Sequence, residues 1–203
     1  MDEFGEATKK FSQWLKDTGW YTISPKIGIE DRRAVNEGSS VVATDDIEKK
    51  ELIFEVPRTS ILNVMTSKVC EKYPEIKAIL VNELGHWEGL IVCLLYEMKV
   101  LREKSRWWEY FLVLPDPESL QTLIFWPDEE LEKLRPSLIV DRVGKKDAKE
   151  MYDRISEFLK EFGEPFASEI GPIDWKEFLY VASIIMSYSF DVENADSADN
   201  TLI

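Results

Sequence analysis

The segment from Glu37 to Thr44 reads Glu-Gly-Ser-Ser-Val-Val-Ala-Thr, a turn of small residues that leads into a β-favouring run. Small residues at such a turn let the backbone approach a ligand closely, so that its N–H and C=O groups can bond to that ligand. Glycine in a turn is also a common feature with a purely structural role. The turn is therefore a candidate ligand-binding element, and an ordinary structural turn is the alternative.

Side chains that usually perform catalysis are sparse. The single histidine, His86, has no Ser or Cys in a nucleophile-elbow context, so a catalytic triad has no support. Phosphate-binding, dinucleotide-binding and H-E-x-x-H zinc motifs do not occur. Cys70 and Cys93 are too few and too loosely spaced for a zinc site or a disulfide framework, which predicts that both pack in the core. The oxygen-rich run Asp191 to Asn200 lacks the central Gly and final Glu of a calcium loop. We predict no metal site and no catalytic residue in this chain.

The charge balance limits the classes of partner. The 203 residues include 25 Lys and Arg against 39 Asp and Glu, which gives a net charge of −14 at pH 7. An acidic surface repels phosphate backbones, so we predict no direct nucleic-acid binding. The same charge attracts basic proteins by long-range electrostatics. The alternative is that the acidity only maintains solubility.

The sequence carries no recognisable membrane or secretion signal. Its longest apolar stretch is Leu90 to Tyr96, far below the roughly 20 residues that span a bilayer. The first four residues are acidic and lack the basic start and apolar run of a secretory signal. With 44% apolar and 12% aromatic residues, the chain can bury a sizeable core. We predict a soluble intracellular protein without membrane contact.

The elements that must position the turn are β-rich first and helical afterwards. Glu6 to Lys16 has the apolar spacing of an amphipathic helix. Short β-favouring runs broken by Gly, Pro and Asp follow, which we interpret as a small antiparallel β-meander. These runs are Tyr21–Ile23, Ile27–Ile29, Ser40–Ala43 and Glu51–Val56.

From Thr66 onward the apolar spacing is helical. A buried helix is predicted through Leu90 and Leu101, and Pro127 with the acids after it indicates a helix start. Amphipathic helices are predicted over Asp147–Phe162 and Asp174–Phe190, the second with Asp174 as N-cap. The order indicates an α+β fold with a boundary near residues 85–105.

Four segments, in order, resemble one known family. The run from Gly38 to Pro57, G-x-x-V-V-A-T-x-D-I-x-x-x-E-L-I-F-E-V-P, resembles the opening of a SET domain. It is similar to the class that methylates Rubisco or ribosomal proteins, whose SET fold is split by a helical insert. The other matching segments are Ser105–Pro115, Phe125–Leu131 and Ile185–Phe190. The Tyr before Ser-Phe in the last segment points to the fungal ribosomal lysine methyltransferase branch.

The resemblance implies a domain plan. It predicts an N-terminal helix, the β-rich first part of a SET domain, a helical insert, and an acidic loop or tail. The corresponding ranges are 1–20, 21–100, 101–190 and 191–203. The later part of the SET core, with the Asn-His segment and tyrosine that this family uses, does not occur in the sequence. The 203-residue chain alone is therefore expected to be inactive.

The resemblance also implies a chemistry and a site. Family members transfer a methyl group from S-adenosylmethionine to a lysine amine, which implies cofactor contacts at Glu37, Gly38, Ser39 and Tyr188. Two positions depart from the family pattern. Ser40 stands where a second Gly is usual, and it could crowd the turn or add a hydrogen bond. Glu109 stands where Pro is common.

Two functions follow as hypotheses. The first is a protein-lysine N-methyltransferase that acts on a basic protein, a large-subunit ribosomal protein by the branch resemblance. The second is a non-catalytic acidic module, derived from a SET protein, that binds basic proteins without modifying them. The branch also implies residence in the nucleus, with the cytoplasm as alternative. Trp107, Trp108, Tyr110 and Trp126 are predicted to belong to the core of the insert rather than to the site.

Overall fold

The first element is helix α1, Glu3–Asp17. This computed structural model describes residues 2–192 and 201–202, and the side chains of residues 2–190. Asp2 is the N-cap, since its carboxylate accepts a hydrogen bond from the Gly5 N–H at 3.0 Å. Glu3 and Glu6 lie in the first turn, where acidic side chains are favoured by the helix dipole. The predicted N-terminal helix is confirmed, and it begins a few residues earlier than the apolar spacing indicates.

Four short strands follow, each within or overlapping a predicted run. They are β1 Thr22–Ile23, β2 Ile27–Asp31, β3 Ser39–Ala43 and β4 Phe54–Glu55. β2 and β3 form an antiparallel hairpin from Ile27 opposite Ala43 to Asp31 opposite Ser39. β1 pairs instead with β4, Thr22 opposite Glu55.

This pairing differs from the predicted meander, in which each strand would pair with the next. Pro25 lies in the corner between β1 and β2 and has no N–H to donate. On the other side of that corner, Lys26 Nζ lies 2.9 Å from a carboxylate oxygen of Glu51. Ser24 N also donates to Ile53 O at 2.8 Å. These contacts bring the lead-in to β4 beside β1.

The rest of the described chain is helical. Helices α2 Lys68–Lys72 and α3 Pro74–Asn82 precede the predicted boundary region, and α4 His86–Leu95 lies within it. The π-helical segment Tyr96–Leu101 continues α4, so the predicted buried helix is present with a change of winding at its end. The later helices are α5 Trp108–Phe111, α6 Asp128–Glu132, α7 Lys145–Phe162, α8 Phe166–Ile170 and α9 Trp175–Tyr188.

The predicted signals for the starts of two later helices are confirmed. The carboxylate of Asp174 accepts from Glu177 N at 2.8 Å and caps α9 as predicted. Pro127 precedes α6, whose first turn is acidic. Within the described residues, no helix has both the length and the apolar character needed to cross a membrane.

Helix α4 is the centre of the core. Every residue from Glu88 to Leu95 is buried, and the helix packs against α3, α7 and α9. Cys70 and Cys93 are both buried and free, in agreement with their predicted packing role. Trp107 is buried, while Trp108 and Tyr110 pack at the core margin. Trp126 is 37% exposed, so its assignment to the core is wrong.

The segment 191–203 also differs in part from the predicted acidic loop. Asp191–Val192 and Thr201–Leu202 pair as antiparallel strands β5 and β6. Ser189 ends α9 with an extended backbone, φ −89° and ψ 157°, so the chain leaves the helix in a conformation that a strand can continue. Residues 193–200 and 203 of the predicted loop lie outside the described residues.

Candidate functional site

The turn between β2 and β3 contains two of the predicted site residues, Glu37 and Gly38, and Ser39 is the first residue of β3. The turn comprises one short 3-10 turn, Arg33–Val35, followed by Asn36 at φ 61° and Gly38 at φ 62°. L-residues rarely adopt this left-handed region, so the backbone itself requires glycine or a similarly tolerant residue here. Apart from the adjacent residues of the chain, no described residue places a heavy atom within 4 Å of the position that a Cβ of Gly38 would occupy. Gly38 therefore borders open space.

Hydrogen bonds close this turn on itself. Arg32 N donates to Gly38 O at 2.7 Å, and Glu37 N donates to Arg32 O at 3.2 Å. Arg32 Nε also donates to the Glu37 carboxylate at 2.6 Å. The Ser40 hydroxyl donates to Glu37 O at 2.8 Å. The sequence leaves open whether Ser40 crowds the turn or adds a hydrogen bond. In the structure its hydroxyl adds a hydrogen bond within the turn.

Ser39 presents a polar atom without a protein partner. Its Oγ is buried, and no described residue hydrogen-bonds to it. Buried polar groups in native proteins are nearly always satisfied, so an orphan hydroxyl requires an explanation such as water or a ligand. The orphan lies one residue from the open space at Gly38.

An ion-pair network ties the turn to α1. Arg33 Nη2 lies within 2.7 Å of carboxylate oxygens of both Asp2 and Asp31. The guanidinium of Arg33 also lies 4.3 Å from the ring centroid of Phe4. Hydrogen bonds from Arg33 lower the pKa of both carboxyls below their ordinary value. The start of the turn is therefore held against the first residues of α1.

Tyr188 is the last residue of α9, and its side chain is 46% exposed. Burial raises the pKa of Tyr110 to about 12, with smaller contributions from nearby Tyr188 and Tyr180. Burial also raises the pKa of Tyr180 to about 12, with Asp116 and Tyr188 contributing. Tyr188 is thus the accessible member of a tyrosine cluster.

The turn and Tyr188 are linked through α1 rather than by direct contact. Arg33 binds the beginning of α1, and Phe11 of the same helix lies 5.8 Å from the ring of Tyr110. Among the described residues, no hydrogen bond, ion pair or ring contact joins residues 37–39 to Tyr188. Nor does any group of three His, Cys, Asp or Glu side chains there have a metal-binding arrangement.

The residues that fix the turn are not among those predicted from the sequence. The run Asp31-Arg32-Arg33 beside Gly38 is a local signal for ion pairing, which the sequence could have revealed. The partnership between Arg33 and Asp2 joins positions 31 residues apart, and neither spacing nor composition indicates it.

Comparison with known proteins decides the fold family. No family model matches the chain. Ribosomal lysine N-methyltransferase 4 of Saccharomyces cerevisiae is 48% identical over 200 residues, 98% of this chain and 40% of that protein. N-lysine methyltransferase SETD6 of Mus musculus is 27% identical over 92% of this chain and 39% of its own length.

Solved structures agree. Rubisco LSMT bound to sinefungin and monomethyllysine has a TM-score of 0.72 and 25% identity, and covers 91% of this chain and 41% of its own. In sequence and in fold, this chain is similar to part of a SET-domain protein-lysine methyltransferase. The SET domain of LSMT bound to lysine and AdoHcy has a TM-score of 0.78 at 23% identity over the whole chain, 42% of its own.

The family resemblance and the α+β SET fold class are thereby confirmed. This chain spans about 40% of the length of the curated relatives that it matches. The site residues Glu37, Gly38, Ser39 and Tyr188 remain predictions.

Proposed function

We propose that this protein takes part in the S-adenosylmethionine-dependent methylation of a protein lysine, and that its substrate is a basic ribosomal protein. The observation that carries this proposal is 48% identity, over 98% of the chain, to a protein named ribosomal lysine N-methyltransferase 4. The ligands in the similar solved structures, AdoHcy or sinefungin with lysine or monomethyllysine, support the cofactor class and the acceptor. The net charge of −14 supports a basic partner.

The turn at residues 37–39 fits a polar small molecule. Open space at Gly38 lets a ligand reach the backbone, and the buried Oγ of Ser39 lacks a protein partner. In this proposal the backbone of Glu37 and Gly38 and the hydroxyl of Ser39 hold S-adenosylmethionine. When bound, that cofactor supplies a methyl group on a positively charged sulfur.

Tyr188 would contribute an aromatic face or a hydroxyl to the same ligand. A cation is attracted to the face of a tyrosine ring, and 46% of this side chain is exposed. The acceptor lysine, with an ordinary pKa near 10.4, must lose its proton before it can react. Partial desolvation in a narrow channel lowers that pKa. We assign cofactor binding, and no proton transfer, to the described residues.

The test is calorimetric titration of S-adenosylmethionine into two samples. The first is this 203-residue chain, and the second is the whole product of its gene, called here the natural-length protein. Gly38→Trp fills the open space, and Gly144→Trp is the matched control. Gly144 has the same kind of positive φ, 79°, and open surroundings, but it lies at the start of α7. Saturable binding lost only in Gly38→Trp supports the site. Equal binding by both variants contradicts the site, and no binding by the natural-length protein contradicts the cofactor.

A methyl-transfer assay tests the reaction and substrate. The natural-length protein would be incubated with radiolabelled S-adenosylmethionine and purified ribosomal proteins, with Gly38→Trp in parallel. Label on a lysine of one ribosomal protein, absent with the variant, supports the proposal. Binding to ribosomal proteins without label supports the non-catalytic module instead. Nuclear residence is part of the proposal, and microscopy of the tagged protein distinguishes it from the cytoplasm.

A further inference from the structure

The hydroxyl of Ser40, a residue of β3, forms a hydrogen bond back into the preceding turn. It donates to Glu37 O, three residues earlier, at 2.8 Å. Glu37 lies between two residues with left-handed backbones, Asn36 and Gly38. Glycine has the widest conformational freedom of any residue, so the peptide unit before Gly38 is free to rotate unless something holds its carbonyl.

We propose that Ser40 is a positioning residue that holds the turn at residues 37–39 in its cofactor-binding conformation. This inference rests on the proposed function. The carbonyl of Glu37 and the N–H of Gly38 belong to one planar trans peptide and point in opposite directions. By binding the carbonyl, the Ser40 hydroxyl directs the Gly38 N–H away from Ser40. No hydrogen bond of the described residues engages that N–H.

The next peptide unit is held in the same way by a different donor. Arg32 N binds Gly38 O at 2.7 Å, which fixes the direction of the Ser39 N–H. The bonds from Arg32 to Gly38 and from Thr44 to Lys26 mark the hydrogen-bonded positions of the β2–β3 ladder. Ser39 is adjacent to Gly38 and therefore occupies a non-hydrogen-bonded position of the ladder, opposite Asp31. At such a position the N–H points away from the neighbouring strand, here β2. Both N–H groups are thus oriented before a ligand arrives, and Ser40 controls the first.

The variant series isolates the hydroxyl. Ser40→Ala removes the donor and keeps the Cβ, Ser40→Thr keeps a hydroxyl, and Ser119→Ala is a matched control. Ser119 Oγ makes the same bond to a carbonyl three residues back, Asp116 O at 2.7 Å, in the insert. The loss of one such bond corresponds to about three- to tenfold in affinity.

We expect Ser40→Ala to raise the Kd for S-adenosylmethionine about three- to tenfold. Ser119→Ala should bind like the wild type, and Ser40→Thr should restore most of the affinity. In the methyl-transfer assay with the natural-length protein, KM for the cofactor should rise while KM for the protein substrate stays unchanged. If Ser40 had a purely structural role, Ser40→Ala would lower the melting midpoint and would change KM for the cofactor and KM for the protein substrate alike.

The outcomes separate this inference from the proposed function. If the wild type binds the cofactor and Ser40→Ala binds it equally well, Ser40 does not position the turn. A Ser40→Thr variant as weak as Ser40→Ala also overturns the inference, because the restored hydroxyl should rescue binding. If the natural-length wild type does not bind S-adenosylmethionine at all, the proposed function fails, and this inference fails with it.

Discussion

Arg33 donates from Nη2 to both carboxylate oxygens of Asp2, at 2.6 and 2.7 Å, although 31 residues separate the two positions. The same Oδ1 of Asp2 accepts from Gly5 N and caps α1. One carboxylate therefore begins the helix and holds the segment that leads to Gly38. Because Arg33 also binds Asp31 at the end of β2, it joins the helix, the strand and the turn.

This network predicts a specific loss of stability in acid. Hydrogen bonds from Arg33 lower the pKa of Asp2 and Asp31 from 3.8 in the folded state. A carboxyl with a lowered folded pKa contributes stability that is present above its unfolded pKa and lost as pH falls through the folded pKa. We therefore expect the melting midpoint to decrease below about pH 4. The Arg33→Gln variant should melt lower at pH 7, and its difference from the wild type should shrink by pH 2. A constant difference across this range would contradict the role of Arg33.

Glu97 should be among the most sensitive positions for stability. Its side chain is fully buried in the π-helical segment, where it accepts from Ser67 Oγ at 3.0 Å, Lys68 N at 2.8 Å and Ser105 Oγ at 2.6 Å. Glu97→Ala leaves these donors unpartnered and opens a cavity, so we expect a loss of at least about 3 kcal/mol in the free energy of unfolding. Glu97→Gln keeps the shape but replaces an acceptor by a donor and should lose about 1–2 kcal/mol.

Urea unfolding measures both values for Glu97. Glu103→Ala is the control, since Glu103 is exposed a few residues later, and surface changes usually alter stability by less than about 0.5 kcal/mol. If Glu97→Ala were as stable as Glu103→Ala, the buried carboxylate would not join α2 to the segment around Ser105.

The sequence predicts those parts of the fold that depend on neighbours along the chain. The cap at Asp174 and the helix start at Pro127 are local, and both occur as expected. The pairing of β1 with β4 occurs together with a contact between Lys26 and Glu51, 25 residues apart, which no periodicity indicates. The π-helical winding around Glu97 likewise accompanies distant partners. The sequence therefore predicts where helices and strands occur better than it predicts which of them contact each other.

The same distinction holds at the candidate site. Residue type predicts only that the backbone at this turn can approach a ligand, and the family resemblance assigns Gly38 to a cofactor; the positive φ of Gly38 is a further reason for glycine that only the structure reveals. The sequence left two possibilities open at Ser40, because only coordinates reveal that its hydroxyl reaches Glu37 O. The orphan Oγ of Ser39 depends on burial by the surrounding fold and has no sequence signal.

The tyrosine cluster predicts a loss of stability in alkali. Burial raises the pKa of Tyr110 and Tyr180 from 10.0 to about 12. A group with a raised folded pKa contributes stability that is present below the unfolded pKa and lost as pH rises through the folded pKa. We expect the melting midpoint to decrease as the pH rises from about 10 to 12. In Tyr110→Phe this decrease of the melting midpoint with pH should be smaller. Melting curves followed by circular dichroism measure it. Parallel curves for wild type and variant would contradict the assignment.

Tyr188 should affect cofactor binding through its ring rather than through stability. The side chain is 46% exposed, so Tyr188→Ala removes few core contacts. A cation over a tyrosine face contributes about 0.5–2 kcal/mol, which predicts about a three- to thirtyfold weaker Kd for S-adenosylmethionine. Tyr188→Phe keeps the ring and should bind within about threefold of the wild type if the face makes the contact. A loss in Tyr188→Phe as large as in Tyr188→Ala would assign the contact to the hydroxyl.

Met186→Ala is the control, because Met186 is an exposed residue of the same helix. Calorimetry that gave Tyr188→Ala the same affinity as Met186→Ala would remove Tyr188 from the site, since helix packing alone would then explain its place at the end of α9.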